Sequence, residues 1–203
     1  MIKNIIFDFG DIFINLDKKR FAKELQNLNI FQESEEIYPI LHQYEMGLIS
    51  TEKFLLFFEK KLAISPEKII KAWNSILVDF PKSRFKFIQE LAASKKYRLF
   101  LLSNTNDLHI SWIQDNWGMP LYNAFKNCFE QFYLSHEIKM RKPNHDIYKF
   151  VLHENSLKAE ETLFIDDTKE NTDAAKLVDI HVWNLNPLKD DVTQLFTKNS
   201  PLF

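Results

Sequence analysis

The chain has 203 residues, of which 45% are apolar and 27% charged, and its formal net charge is −2. These values predict a globular protein with one ordinary domain, or a core domain with a modest insertion. They give no electrostatic case for a nucleic-acid or membrane partner, and from the apolar patterns we expect neither a transmembrane helix nor a signal peptide. Cys128 is the single cysteine, so no intrachain disulfide is expected and we predict a cytoplasmic protein.

Two common classes of site are also excluded by residue spacing. The three glycines, Gly10, Gly47 and Gly118, are too far apart for a dinucleotide-binding loop or a P-loop. The six histidines lack the spacing of zinc ligands, so a zinc site is not expected.

The first predicted element is a buried strand over residues 5–9 ("IIFDF"). From about Asp17 to Pro81 only helical patterns follow. These amphipathic segments cover residues 18–28, 34–47, 50–62 and 65–78. The pattern therefore predicts a four-helix module inserted directly after the first strand.

Strands and helices alternate through the rest of the chain. Predicted strands cover residues 97–103, 162–166 and 180–183, with a weaker one at 131–134, and predicted helices cover 83–97, 144–155 and 169–178. Short apolar strands alternating with helices are typical of a parallel sheet covered on both faces. The predicted fold is α/β, a Rossmann-like doubly wound parallel sheet formed by residues 1–16 and 81–203, with the helical module at 17–80.

Polar residues follow several of the predicted strands. Asp8 ends the first, Ser103 and Asn104 end the second, and Asp166 and Asp167 end a third. Ligands bind at the carboxyl ends of strands in open α/β sheets, so we expect these groups to converge. Carboxylates suit Mg²⁺, and a hydroxyl with free turn N–H groups suits a phosphate. Together with Lys142, this set favours phosphoryl transfer, in which a carboxylate can act as nucleophile.

Each of these residues also has a simpler structural interpretation. Asp8 alone is typical of a turn cap, Ser103-Asn104 of a helix N-cap, and Asp166-Asp167 of a cap for the helix that follows. Lys142 alone is typical of a solvated lysine. The functional interpretation depends on their joint occurrence at successive strand ends.

Four short motifs resemble those of the haloacid dehalogenase superfamily of phosphohydrolases. They read "DFGDI", "LLSNT", "MRKPNHDIY" and "FIDDTKEN" in chain order. The helical insertion resembles the small helical cap of one subgroup, and "YEMGLIS" is similar to a cap segment of bacterial sugar-phosphate phosphatases similar to α-D-glucose-1-phosphate phosphatase. The resemblance spans essentially the whole chain and implies a Mg²⁺-dependent phosphoric monoester hydrolase acting on a small phosphorylated metabolite, such as a sugar phosphate.

The resemblance also implies roles for individual residues. Asp8 would be the nucleophile and a metal ligand, and the Gly10 carbonyl a second ligand. Asp167 would bind the metal directly, with Asp166 beside it in the metal site orienting the ligands or Lys142. Ser103 and the Asn104 N–H would hold the phosphate, and Lys142 would neutralise charge on it. Asn171 would contact the residues that bind the metal or the substrate.

Gly10 is the main departure from the family pattern. Relatives usually have a second Asp there, which protonates the leaving group and then activates water. Asp11 falls one place later, and a one-residue shift in a strand-like segment turns the side chain to the opposite face. General acid–base help is worth roughly 10²–10⁴-fold, so its loss predicts slow turnover of alkyl phosphates and favours leaving groups that depart readily.

Two alternatives remain open from the sequence. A 2-haloacid dehalogenase-type hydrolase would use the same scaffold without Mg²⁺, against the Asp166-Asp167 pair. A non-catalytic binder of a phosphorylated ligand would explain Gly10. Substrate specificity is expected where the helical module meets the sheet, with Tyr44, Glu45 and Trp73 as candidates, of which Trp73 is more typical of a helix-packing aromatic residue.

Overall fold

The central strand of the sheet is β1 (Asn4–Phe7), which pairs in parallel with two others. The computed structural model describes residues 1–30 and 35–203. Within these residues the sheet has five parallel strands in the order β3-β2-β1-β4-β5. The other strands are β2 (Arg98–Ser103), β3 (Gln131–Leu134), β4 (Thr162–Asp166) and β5 (His181–Asn184). The order reverses direction at β1, which is the doubly wound arrangement that the sequence predicts.

Helices surround the sheet and form the insertion. The helices of the insertion are α1 (Lys18–Asn27), α2 (Ile37–Glu45), α3 (Thr51–Leu62) and α4 (Pro66–Asn74). The remaining helices are α5 (Lys82–Ser94), α6 (Asp107–Trp117), α7 (Met119–Lys126), α8 (Ser135–Ile138), α9 (His145–Glu154), α10 (Lys169–Lys176) and α11 (Leu195–Lys198). The described residues contain no helix that is both long enough and apolar enough to traverse a bilayer.

The two faces of the sheet bury separate hydrophobic clusters. Ile5 and Phe7 of β1 point to the face that also buries Ile88 of α5 and Phe125 of α7. Ile6, between them, points to the opposite face with side chains of α9 and α10. Side chains alternate across a strand, so β1 must be apolar on both faces, which explains its unbroken apolar sequence.

The insertion has a hydrophobic cluster of its own. Phe54 and Phe58 of α3 pack with Tyr44 of α2 and Trp73 of α4 in that cluster. The chain enters and leaves the insertion through two segments that lie side by side: Asn15 N donates to Asp79 O at 2.8 Å, and Asp17 N donates to Ile76 O at 2.8 Å. The helical module therefore joins the sheet through two adjacent crossings.

Each predicted strand and helix corresponds to an observed element, most of which differ from it at the ends, but several observed helices are not predicted. The helix predicted at 34–47 is observed as α2, and its predicted first residue, Ser34, lies outside the described residues. The strand predicted at 5–9 ends at Phe7, because the Phe9 carbonyl accepts hydrogen bonds from Phe13 and Ile14 in a turn. The predicted helix ranges do not include α6, α7, α8 or α11, of which α6 has eleven residues and the others have eight, four and four.

Candidate active site

The predicted polar residues converge at the carboxyl edge of the sheet. Asp8 follows β1 directly, and its N–H continues the ladder by donating to Ile165 O at 2.8 Å. Asp166 ends β4, and Ser103 ends the neighbouring strand β2. Because β1 lies between β2 and β4, these three positions are adjacent in space. The fourth element is the loop before α9, which carries Lys142.

Lys142 is the centre of this cluster. Its ammonium is 1% exposed and donates to Asp8 Oδ1 at 2.6 Å and to Asp166 Oδ2 at 2.7 Å. It also donates to the Leu102 carbonyl at 2.8 Å, so its three N–H bonds all have acceptors. Burial alone would lower the pKa of Lys142, but the carboxylates of Asp166 and Asp8 outweigh burial and raise it. Lys142 is therefore a charged, fully buried bridge rather than a solvated lysine.

Asp166 is held rigidly by protein donors. Asn171 Nδ2 lies 3.1 and 3.0 Å from its two carboxylate oxygens, and Thr168 N donates to Oδ1 at 2.8 Å. With Lys142, these donors engage both oxygens of a side chain that is fully buried. Asn184 of β5 donates to the backbone carbonyls of Asp166 and Asp167, which fixes the turn after β4. The arrangement suits a group that orients Lys142.

The carboxylates are spaced for a hard divalent cation. One carboxylate oxygen from each of Asp8, Asp166 and Asp167 lies within 4.8 Å of the others. Burial raises the pKa of Asp8; Lys142 opposes that rise, and the two neighbouring carboxylates reinforce it. The Gly10 carbonyl accepts no hydrogen bond from any described residue. Three carboxylates around one buried ammonium leave negative charge that a divalent cation would balance, so these residues fit Mg²⁺.

Asn104 ties the end of β2 to the lysine loop. Asn104 Nδ2 donates to the Lys142 carbonyl at 2.8 Å, and Lys142 N donates to Asn104 Oδ1 at 2.9 Å. The Asn104 N–H has no acceptor among the described residues. Ser103 beside it is buried, and its hydroxyl makes only a long contact of 3.4 Å with the Asn104 carbonyl. Both groups are thus available to a phosphate oxygen.

Two neighbouring chambers lie near the cluster. The outer cleft, with a volume of about 460 Å³, is lined by Asp8, Lys142 and Asp167 together with Tyr38 and Arg141. A smaller chamber of about 150 Å³ lies between the insertion and the sheet. Three residues line both chambers: Gly10, Leu16 and Asn104. A ligand with its phosphate at the carboxylates would therefore extend toward the helical module.

Comparison with known proteins decides the family. A family model described as haloacid dehalogenase-like hydrolase matches residues 2–179. The chain belongs to that family.

Three relatives of this hydrolase are similar over nearly their whole length. A D-ribitol-5-phosphate phosphatase of Bacteroides thetaiotaomicron is 27% identical over 87% of this chain and 88% of its own. The crystal structure of HAD family enzyme bt-2542 from Bacteroides thetaiotaomicron, in complex with magnesium and inorganic phosphate, has a TM-score of 0.83 and 34% identity, covering 97% and 100% of the two chains. A predicted HAD-like family hydrolase from Porphyromonas gingivalis has a TM-score of 0.84 and 26% identity, covering 98% and 97%. The predicted family and fold class are confirmed.

The structure corrects the expected position of Asp11 in this hydrolase. The strand-like pattern of the sequence predicts that Asp11 lies on the face opposite Asp8. Residues 11–13 instead form a turn. Asp11 has a φ of 56°, in the left-handed region, and its Oδ1 accepts from Leu16 N at 3.0 Å. Its Oδ2 accepts from Lys18 Nζ at 2.8 Å. Both oxygens are therefore occupied near the mouth of the cleft.

Lys18 contacts the candidate site of this hydrolase but is not among the residues predicted from the sequence. It begins α1, after the N-cap Asp17, and its ammonium bridges Asp11 and Asp167, the latter at 2.7 Å. Burial alone would lower the pKa of Lys18, but the bonds to the two carboxylates outweigh burial and raise it. No local pattern distinguishes Lys18 from Lys19 beside it, because the carboxylate that it reaches is 149 positions away.

Tyr44 and Trp73, predicted as specificity candidates, are packing residues in this hydrolase. Tyr44 is buried, stacks on Phe54 at 4.1 Å between ring centroids, and shares a hydrogen bond of 2.9 Å with Thr51. Trp73 is buried against Phe54 and Phe21. Glu45, by contrast, lines the inner chamber.

Replacement of Lys18 by Met is expected to tighten Mg²⁺ binding about two- to five-fold, since it removes a partly exposed positive charge from Asp167. Isothermal titration of Mg²⁺ into the ligand-free protein measures the change. Lys19→Met is the matched control, because Lys19 is exposed on the same helix. Weaker Mg²⁺ binding in Lys18→Met alone would contradict the assignment of Asp167 as a metal ligand.

Proposed function

We propose that this chain is a Mg²⁺-dependent phosphatase that hydrolyses a small phosphorylated metabolite through an aspartyl-phosphate on Asp8. The observation that carries the proposal is the buried Lys142 ammonium, shared between Asp8 and Asp166 with Asp167 alongside. Lysine is rarely fully buried unless it is paired, and this one lies where the strands of an α/β sheet present their ligands. A structural ion pair would not need a third carboxylate beside it.

Each residue of the cluster has a chemical role in this proposal. Lys142 holds Asp8 Oδ1, while Oδ2 accepts no hydrogen bond from a described residue and is available to attack phosphorus. Ser103 and the Asn104 N–H bind oxygens of the phosphoryl group. Bound Mg²⁺ supplies positive charge that stabilises the transferring group. Asp167 and the Gly10 carbonyl would hold the ion with Asp8, and Asp166 would orient Lys142.

The relatives support the reaction class and the cofactor. One is named as a phosphatase, and another was crystallised with magnesium and inorganic phosphate. At this level the predicted phosphoric monoester hydrolase and its Mg²⁺ are confirmed. The phosphatase relative is named for D-ribitol 5-phosphate, an ester of a primary alcohol. We therefore propose sugar-alcohol phosphates as substrates in addition to sugar 1-phosphates, whose anomeric oxygen departs readily and so suits a site without an acid at Gly10.

We further propose that residues 17–80 act as a cap over the site. The described part of this segment has its own hydrophobic cluster. Lys18 and Tyr38 from the segment line the outer cleft, and Glu45 lines the inner chamber. A substrate would thus contact the sheet through its phosphate and the helices through its remainder.

The non-catalytic alternative is favoured by one observation, the absence of a carboxylate at Gly10. It predicts Mg²⁺-dependent ligand binding without phosphate release. The 2-haloacid dehalogenase alternative predicts halide release without metal, but the three clustered carboxylates favour a metal site.

A panel of sugar 1-phosphates, sugar-alcohol phosphates and p-nitrophenyl phosphate tests the proposal. We expect phosphate release in the presence of Mg²⁺ and its loss in excess EDTA, because the carboxylate cluster then lacks the cation that balances it. Malachite-green detection of phosphate measures the rate. Binding of these esters without any phosphate release would support the non-catalytic alternative, and chloride release from 2-chloropropionate in EDTA would support the dehalogenase.

A further inference from the structure

The chamber behind Gly10 contains one carboxyl group that the phosphatase chemistry above does not use. Glu45 ends α2 and lines the inner chamber of about 150 Å³ together with Gly10, Ser103 and Asn104. The chamber therefore joins the residue that lacks the usual acid, the two predicted phosphate-binding groups and a carboxyl group from the helical module.

Glu45 is held so that half of its carboxyl group stays unpaired. Arg141 Nε donates to Glu45 Oε2 at 3.1 Å, and Arg141 Nη2 forms an ion pair with the same oxygen at 3.0 Å. No described residue donates to Oε1. The backbone of Glu45 is also fixed, because Ser135 Oγ donates to its carbonyl at 2.6 Å. A guanidinium that positions one oxygen and leaves the other without a donor, on a residue that lines a chamber, suits a group that acts on a ligand.

Burial raises the pKa of Glu45, although Arg141 and, more weakly, Lys142 oppose the rise. A carboxyl group with a raised pKa is better able to donate a proton at neutral pH than an ordinary glutamate. The raised pKa of Glu45 agrees with the role that its unpaired oxygen and its place in the chamber indicate.

Two other candidate proton donors near Gly10, Asp11 and His109, are occupied. Both oxygens of Asp11 accept hydrogen bonds, from Leu16 N and from Lys18. His109 lines the same chamber, but its Nε2 lies 3.2 Å from the Trp73 carbonyl and its Nδ1 lies 3.3 Å from Asn106 Nδ2. Burial lowers the pKa of His109 to about 4, so its neutral ring donates to the carbonyl and accepts from the amide.

The position of Glu45 also matches the geometry of phosphoryl transfer. The attacking and leaving oxygens lie roughly in line through phosphorus. Asp8 attacks from the end of β1, so the leaving oxygen is expected on the opposite side of phosphorus, and the helical module contributes lining residues to both chambers. Glu45 lines the inner chamber from α2 of that module.

We propose that Glu45 is the general acid–base catalyst that replaces the carboxylate missing at Gly10. This assignment rests on the proposed phosphatase function. As Asp8 forms its bond to phosphorus and the ester P–O bond breaks, the Glu45 carboxyl group gives its proton to the leaving alkoxide. The Glu45 carboxylate then takes a proton from water as that water attacks the aspartyl-phosphate. The P–O bond to Asp8 breaks, which restores both side chains and releases phosphate.

The leaving group distinguishes this role from a structural one. An alkoxide needs a proton, whereas p-nitrophenolate leaves readily without one. Glu45→Gln keeps the shape of the side chain and an oxygen for Arg141, but it cannot transfer a proton. We expect it to lower kcat/KM for a sugar-alcohol phosphate by about 10²–10⁴-fold and for p-nitrophenyl phosphate by less than about three-fold. Glu59→Gln, an exposed change on α3, is the matched control.

A second variant tests rescue. The Cβ of an Asp at position 10 would meet only the end of the flexible Leu16 side chain, at 2.8 Å. Gly10→Asp in the Glu45→Gln background is therefore expected to recover at least ten-fold of the lost alkyl-phosphate rate, about 1.4 kcal/mol of barrier.

Equal losses on the alkyl and aryl esters in Glu45→Gln would overturn the proposal, since they would mark Glu45 as a packing partner of Arg141. Wild-type activity confined to aryl esters would also overturn it, because no acid would then be at work. Failure of the phosphatase function itself is recognised separately: the wild-type protein would release no phosphate from either ester.

Discussion

Asp8→Asn is expected to abolish phosphate release, with a fall of about 10⁴-fold or more in kcat on every ester that the wild-type protein hydrolyses. The amide cannot form the aspartyl-phosphate, and this holds whatever the leaving group. The measurement is Mg²⁺-supported phosphate release, with intact-mass detection of the phosphorylated protein after rapid acid quench. The wild-type protein should show the added phosphoryl mass and the variant should not.

The matched control for this prediction is Asp11→Asn. Asp11 is also buried and also lies in the turn after β1, but its carboxylate is directed to Leu16 and Lys18. We expect the control to retain the rate within about three-fold. Retained activity in Asp8→Asn would exclude Asp8 as the nucleophile, and a large loss in Asp11→Asn would show that the contact with Lys18 matters to catalysis.

Lys142→Met is expected to destabilise the metal-free protein by about 3–5 kcal/mol, the usual cost of leaving buried charges without a partner. The change removes the ammonium from both Asp8 and Asp166 while keeping a long side chain in the core. Urea unfolding in EDTA, analysed by linear extrapolation, measures the free energy of unfolding. Phosphate release should be lost as well, because Asp8 loses the neighbouring positive charge of Lys142, which favours the ionised form of its carboxyl group.

A double variant separates charge from packing in this prediction. Adding Asp8→Asn to Lys142→Met removes one uncompensated carboxylate, so the double variant should unfold at higher urea than Lys142→Met alone. Asp8→Asn by itself should cost much less. If the second change instead lowers stability further, the loss in Lys142→Met would come from packing, and the buried bridge would be less important than its geometry indicates.

The architecture was readable from the sequence because burial imposes local patterns. β1 and β4 are apolar on both faces, and such runs are visible without any knowledge of their partners. The helices of the insertion repeat apolar residues at helical spacing. Short elements such as α7 and the turn at residues 11–13 depend instead on tertiary contacts, so local patterns do not predict them.

The candidate site was only partly readable for a related reason. Asp8, Ser103 and Asp166 end strands, and parallel topology alone brings strand ends together. Lys18 and Glu45 reach the site from another hydrophobic unit, and the side-chain partners that hold them, Asp167 and Arg141, are far away in the chain. Spacing along a sequence carries no signal for such contacts, so Lys18 was not predicted and Glu45 was predicted only as a substrate-specificity candidate. Asp11 itself has a left-handed backbone conformation in a turn. The alternation of side chains along a strand does not predict the direction of such a residue.

The side-by-side crossings at Asn15 and Asp17 bear on how such an enzyme can change its substrate over evolutionary time. Two neighbouring anchor points allow the helical unit to be exchanged, shortened or rebuilt without moving β1 or the residues that end it. Asp8 and the Lys142 bridge then stay fixed while the chamber above them varies. If Glu45 supplies the proton, however, part of the chemistry sits on the exchangeable unit. A change in the shape of that unit would then alter both the leaving groups that the enzyme can protonate and the substrate shapes that its chamber accepts.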